Sequence, residues 1–258
     1  INSSTASRNV TFIADVSTAQ IASLEVTQDN SVADGAMANT LRARVTDAFG
    51  NTLAGQTVSV TAGNGATVAP TVITGQDGTV EIPVTSQTAG TSAVTASINS
   101  STASRNVTFI ADVSTAQIAS LEVTQDNSVA DGAMANTLRV KVTDANGNAL
   151  AGQTVSVSAG NGAAVAATVI TGPDGTVEIS VTSQTAGISA VAASINNSSR
   201  SQDVTFIPDV STAKIADLVV IKDGSVADGS TANTLRVKVT DAFGNALAGQ
   251  TVSVSADC

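Results

Sequence analysis

The chain has 258 residues, enough for two or three domains of ordinary size. It has no His, Trp or Tyr and a single Cys, Cys258, so the commonest acid–base catalyst and the His/Cys clusters of soft-metal sites are missing. Eleven basic against 21 acidic residues give a formal net charge of −10 with no basic cluster, which argues against nucleic acid or anionic lipid as a partner.

Val, Ala, Thr, Ser and Gly dominate, and 42% of residues are hydrophobic. That profile suits short strands with small, closely packed side chains, not disorder. The chain begins with Ile1 and shows no signal peptide and no apolar run of membrane-spanning length. It reads as a segment of something longer.

In chain order, period-two alternation marks the strands. Leu24 and Val26 open the series, and Ala33-Asp34-Gly35 makes a turn. Leu41, Ala43 and Val45 then share one face, with Arg42 and Arg44 on the other. The next segment, Asp47–Gly55, reverses the chain. Asp47 and Asn51 are expected to bond the turn's own backbone, and Gly50 to take a positive φ. Val58 and Val60 alternate with Thr57, Ser59 and Thr61. After Gly63-Asn64-Gly65 comes a short strand at Thr71–Ile73, then the turn Gln76-Asp77-Gly78. Val80, Ile82 and Val84 form the following inward set. Thr88-Ala89-Gly90 leads to Val94, Ala96 and Ile98, and then to Val107 and Phe109. About seven short strands with turn signals between them, and no helical periodicity, predict an immunoglobulin-like β-sandwich. It lacks the Cys pair and core Trp of antibody domains, so Val, Leu, Ile, Ala and the single Phe109 must fill its core.

The pattern then repeats at an offset of 97 residues. Residues 1–42 equal residues 98–139, and residues 20–116 differ from 117–213 at 17 of 97 positions, leaving 80 identities. Such identity between neighbours reflects recent duplication more than constraint on each residue. The changes include Arg44 to Lys141, Thr61 to Ser158, Phe49 to Asn146 and Pro83 to Ser180, mostly at outward or loop positions. A fold is kept, and nothing in the pattern protects a reactive site. The expected division is 1–16 (tail of a preceding repeat), 17–113 and 114–210 (complete repeats) and 211–258 (the first part of a third). The segment "IADVSTAQIASLEV" at Ile13 and Ile110, and "IPDVSTAKIADLVV" at Ile207, joins them. It has no Gly, and Pro208 stiffens the last copy. The expectation is an all-β tandem array forming an elongated, semi-rigid rod that gains roughly 40 Å per repeat, from a rise of ~3.4 Å per strand residue.

Few residues are candidates for chemistry. Asp112, Glu122 and Asp126 near one boundary invite a calcium reading, but calcium takes six to eight converging oxygens and no DxDxDG loop is present. In the third copy Val219 replaces Glu122, although Asp217 lies nearby. Solvated or turn-capping carboxylates are the preferred reading. Gly63-Asn64-Gly65 and Gly75-Gln76-Asp77-Gly78 open no helix and so lack the N-terminus of a phosphate cradle. Without His no Ser–His pair exists, and no Lys accompanies a candidate Ser. Asn99-Ser100-Ser101 and Asn106-Val107-Thr108 match glycosylation acceptors, as chance allows in so Ser/Thr-rich a chain. Cys258 stands where the repeat has Asn161, and Asp257 where it has Gly160. They leave open an attachment handle or a native change in a terminal repeat. No catalytic residue, metal ligand or cofactor is expected.

The stretches "VADGAMANTLRARVTDAFGNTLAGQTVSVTAGNGA" (Val32–Ala66) and "TGQDGTVEIPVTSQTAGTSAVTAS" (Thr74–Ser97) resemble group 1 bacterial immunoglobulin-like repeats. These form the stalks of the intimin and invasin family, the inverse autotransporter adhesins of Gram-negative bacteria. The resemblance covers essentially the whole chain. It implies an outer-membrane barrel on the N-terminal side, a string of repeats outside the cell, and often a lectin-like tip that binds the host. The expected role is a non-enzymatic spacer, with neighbouring repeats as partners and host cell-surface or matrix proteins reached only through distal domains. Two alternatives stand: repeats that themselves bind a host protein, a matrix protein or each other, and a calcium-stiffened rod.

Overall fold

The computed structural model describes residues 1–257. The chain packs as two compact units, Ile1–Ser114 and Thr115–Cys258.

The first unit holds nine strands: β1 (Gln20–Gln28), β2 (Ser31–Val32), β3 (Asn39–Thr46), β4 (Thr57–Ala62), β5 (Thr67–Val68), β6 (Thr71–Ile73), β7 (Thr79–Thr85), β8 (Gly90–Ile98) and β9 (Ser101–Ile110). They form two sheets, β1-β3-β7-β5 and β2-β9-β8-β4-β6. All pairings are antiparallel except the two-residue parallel ladder of β2 on β9. The predicted strands are all present, with inward Leu41, Ala43, Val45, Val58, Ile82, Val84, Val94, Ala96, Val107 and Phe109 buried between the sheets. Phe109, the largest of these side chains, is 1% exposed. Strands β2 and β5 have two residues each, too short for alternation to show.

One buried side chain ties the sheets together. Asn39, at the start of β3, is fully buried. Its Oδ1 accepts from Ser31 N–H and its Nδ2 donates to the Thr108 carbonyl on the opposite sheet. At the far end of β1, Asp29 Oδ1 accepts from Thr108 N–H.

The second unit repeats this plan with β10 (Gln117–Gln125), β11 (Ser128–Val129), β12 (Asn136–Thr143), β13 (Thr154–Ala159), β14 (Ala164–Val165), β15 (Thr168–Ile170), β16 (Thr176–Thr182), β17 (Gly187–Ile195) and β18 (Ser198–Ile207). The sheets are β10-β12-β16-β14 and β11-β18-β17-β13-β15. The same unit contains β19 (Lys214–Lys222) and β20 (Thr234–Thr240), which pair with each other, and Thr240 at the end of β20 bridges Ala246.

The joining segments are more than links from strand to strand. Each holds one turn of 3-10 helix, at Val16–Thr18, Val113–Thr115 and Val210–Thr212. The first and third are capped by Asp15 and Asp209, whose Oδ1 atoms accept from the N–H groups of Ser17 and Ser211. Three residues are too few to show periodicity. The readable signal is the Asp-x-Ser spacing, with a capping Asp two residues before the N–H it satisfies.

The identical segments fold differently. Ser101–Ile110 is strand β9, paired along its length with β8, whereas Ser4–Ile13, the same ten residues, forms no strand. Phe12 is 93% exposed where Phe109 is 1% exposed. A strand is stabilised by its cross-strand and same-face neighbours, not by its own propensity.

Candidate functional site

The reversal that begins at Asp47 recurs from Asp144 and from Asp241 and forms the same turn in each copy. In the first, β3 ends at Thr46 and Asp47 sits almost fully buried. Its Oδ1 accepts from Phe49 N–H (3.0 Å) and Asn51 N–H (2.9 Å), which closes the turn. Gly50 takes φ +86°. To this extent the corner is as the sequence predicts. Asp47 also reaches outside the turn, because its Oδ2 accepts from Asp15 N–H at 3.0 Å and from Asn51 Nδ2 at 2.9 Å. Ala48 N–H donates to Thr18 Oγ1. The corner therefore anchors the capped 3-10 turn of the joining segment.

Asp241 does the same in the third copy, accepting from Asp209 N–H at 3.0 Å, from the N–H groups of Phe243 and Asn245, and from Asn245 Nδ2. Asn245 reaches further. Its Oδ1 accepts from Ala186 N–H at 2.8 Å, and its Nδ2 donates to the Gln184 carbonyl at 2.8 Å. Those two groups belong to the loop between β16 and β17 of the preceding repeat. Ser183 shapes that loop, accepting from Thr185 N–H and donating to the Thr185 carbonyl.

The electrostatics follow from this geometry. The Asn51 carboxamide first, then Asp15 N–H and the turn's own N–H groups, pull the Asp47 carboxyl down to about 2 against the upward push of burial. At Asp241 burial pushes upward most strongly, but the N–H groups of Asp209, Asn245 and Phe243 and the Asn245 carboxamide together hold it below the ordinary range. Converging N–H dipoles stabilise an anion and oppose a cation at the same oxygens. The corner is built around a carboxylate whose two oxygens both accept N–H groups.

The three acids considered for calcium have other partners. Asp112 Oδ1 accepts from Ser114 N–H and Oγ. Glu122 pairs with Arg139 at 3.3 Å. Asp126 Oδ1 accepts from Thr205 N–H and Asn127 N–H, at 2.8 Å each. Among the described residues no three His, Cys, Asp or Glu group together in a way that could hold a metal ion. Gly63-Asn64-Gly65 joins β4 to β5, and Gly75–Gly78 is the turn before β7. Asp77 in that turn accepts from Thr79 N–H and Oγ1. In the acceptor-like triplet at Asn99, the carboxamide donates to the Ala19 carbonyl. Cys258 lies outside the described residues. Each complete repeat has an open, polar hollow, about 360 Å³ at Gly35, Gly65, Thr85 and Gln87 and about 290 Å³ at the matching positions, with no charged group in its lining.

What sequence reasoning missed is the outward half of the corner. The bond from Asp15 to Asp47 spans 32 residues, and that from Ala186 to Asn245 spans 59. No local pattern announces partners so far apart.

Comparison with known proteins agrees with this architecture. The bacterial Ig-like domain (group 1) pattern matches residues 21–110, 118–207 and 215–258. The inverse autotransporter adhesin YeeJ of Escherichia coli (strain K12) is 35% identical over 265 residues, covering 96% of this chain and 11% of YeeJ. This chain thus spans about a ninth of that relative's length. Among solved structures, Yersinia pseudotuberculosis InvD superposes with a TM-score of 0.59 at 16% identity, over 90% of this chain and 73% of that one. Invasin, described as a bacterial integrin-binding protein, aligns at 27% identity over 89% of this chain and 48% of its own, with a TM-score of 0.47. Three matches to one domain pattern, covering nearly all of the chain, show that it belongs to the group 1 bacterial Ig-like domain family.

Proposed function

We propose that this chain is a non-enzymatic spacer within a bacterial cell-surface adhesin, holding a distal adhesive domain away from an outer-membrane anchor. The observation that carries the reading is the corner. In the first and third copies the buried Asp47 and Asp241 accept from the joining segment, and Asn245 bonds the preceding repeat. Similarity to an inverse autotransporter adhesin over 96% of the chain supports the same reading. The proposed division is 1–16, 17–113, 114–210 and 211–258. The partners within this chain are its own neighbouring repeats, and host proteins are met through other domains of the parent. The segment itself takes no cofactor, nucleic acid or membrane as partner. No helix among the described residues is long and apolar enough to cross a membrane, which leaves β-barrels unaddressed.

The test is adhesion by beads coated with residues 1–258, compared with beads carrying an unrelated β-sandwich. Equal attachment to host cells, matrix proteins and beads of the same kind is expected. Attachment above the control would overturn the spacer reading in favour of repeats that bind directly.

A further inference from the structure

We propose that the Asp-Ala-x-Gly-Asn corner is a docking surface for the Ser-Gln-Thr-Ala-Gly loop of another copy of the same repeat, read through the carboxamide of its Asn. Between the second and third copies the contact is complete. Asn245 presents an acceptor to Ala186 N–H and a donor to the Gln184 carbonyl, both at 2.8 Å. A carboxamide carries one acceptor and one donor group side by side, which complements a backbone N–H and C=O two residues apart.

Both halves are pre-shaped. The Asn245 side chain is oriented by its Nδ2 bond to Asp241 Oδ2 (2.9 Å), and Asp241 is itself tied to the joining segment through Asp209 N–H. On the other side Ser183 fixes the loop that offers the two backbone groups. Neither half therefore has much freedom to lose on meeting.

The sequence carries both halves through the repeats. The corner reads DAFGN at Asp47, DANGN at Asp144 and DAFGN at Asp241, and the loop reads SQTAG at Ser86 and Ser183. The third position varies, as Phe49, Asn146 and Phe243, whereas the Asp and the Asn that make the bonds recur in all three copies. Asn51, the first-copy counterpart of Asn245, is exposed, and its Nδ2 is likewise oriented by Asp47 at 2.9 Å. It offers the same surface to a loop of the same kind. This pairing holds whatever distal activity the parent protein carries.

Amide hydrogen exchange on the full chain tests it. Ala186 N–H should be protected in the wild-type chain. Asn245→Ala should speed its exchange roughly 3–10-fold, the effect of losing one ordinary hydrogen bond, while Leu247 N–H, bonded to the Val239 carbonyl, keeps its protection. Asn51→Ala should leave Ala186 unchanged. Unprotected Ala186 in the wild type, or an unchanged rate in Asn245→Ala, overturns the proposal. Should Asn245→Ala also release Leu247, the reciprocal variant Ala186→Pro decides, since it removes the donor and leaves the corner's sequence intact. Faster exchange of the Asn245 side-chain amide then supports the docking, and an unchanged rate refutes it.

Discussion

Asp47 joins a turn, a capped joining segment and a carboxamide through one carboxylate, and its ionisation should be visible in the acid response. Its folded-state value is depressed, so its stabilisation is complete above the unfolded value of about 3.9 and is lost as pH falls through about 2. The wild-type chain should lose stability across that window, and Asp47→Asn should lose less of it. Acid titration followed by NMR checks this, and a midpoint for Asp47 at the ordinary carboxylate value would contradict it. Ser92 and Ser189 make the opposite case. Both hydroxyls are fully buried and meet no hydrogen-bond partner. A buried polar group without a partner costs about 1–3 kcal/mol, so Ser92→Ala and Ser189→Ala should each stabilise their repeat, by about 1 kcal/mol. Chemical denaturation measures this, and a fall in stability would reveal a partner for the hydroxyl.

At the scale of the element, the chain contains its own control. Phe12 and Phe109 occupy the same local sequence, yet only Phe109 lies between two sheets. Phe109→Ala should destabilise its repeat by about 3–5 kcal/mol, and Phe12→Ala should fall within about 0.5 kcal/mol of the wild type. Similar losses for both would mean that residues 1–13 pack in solution. This pair also marks how far the sequence could be read. Alternation named the inward faces of β3, β4, β7, β8 and β9, because a half-buried strand must write its burial with a period of two. It could not tell that one copy of β9 pairs and the other does not, since both copies read identically. The 3-10 turns, the two-residue strands and the outward reach of Asp47 were hidden for related reasons. The first two are shorter than any period, and the third depends on partners brought close only by the completed fold.

At the scale of the molecule, the third copy shows what half a sandwich lacks. Leu235 is 56% exposed where its counterpart Leu138 is fully buried, and Leu218, Val237 and Val254 border an open apolar hollow of about 500 Å³. Two paired strands without an opposing sheet are marginal in water. Amides in 214–237 should therefore exchange faster than those in 117–207, whereas the corner that follows is held through Asp209 N–H and Ala186 N–H; equal protection would show that the hollow is covered in solution. The complete repeats differ because each closes its own core. That separation bears on how such a chain changes over generations. If each joint is made by the same two short peptides, inserting or deleting one period of 97 residues creates no novel surface and orphans no old one. The number of repeats can then drift through unequal recombination without any compensating substitution, and in a spacer of the proposed kind reach becomes a trait that selection can adjust in whole steps.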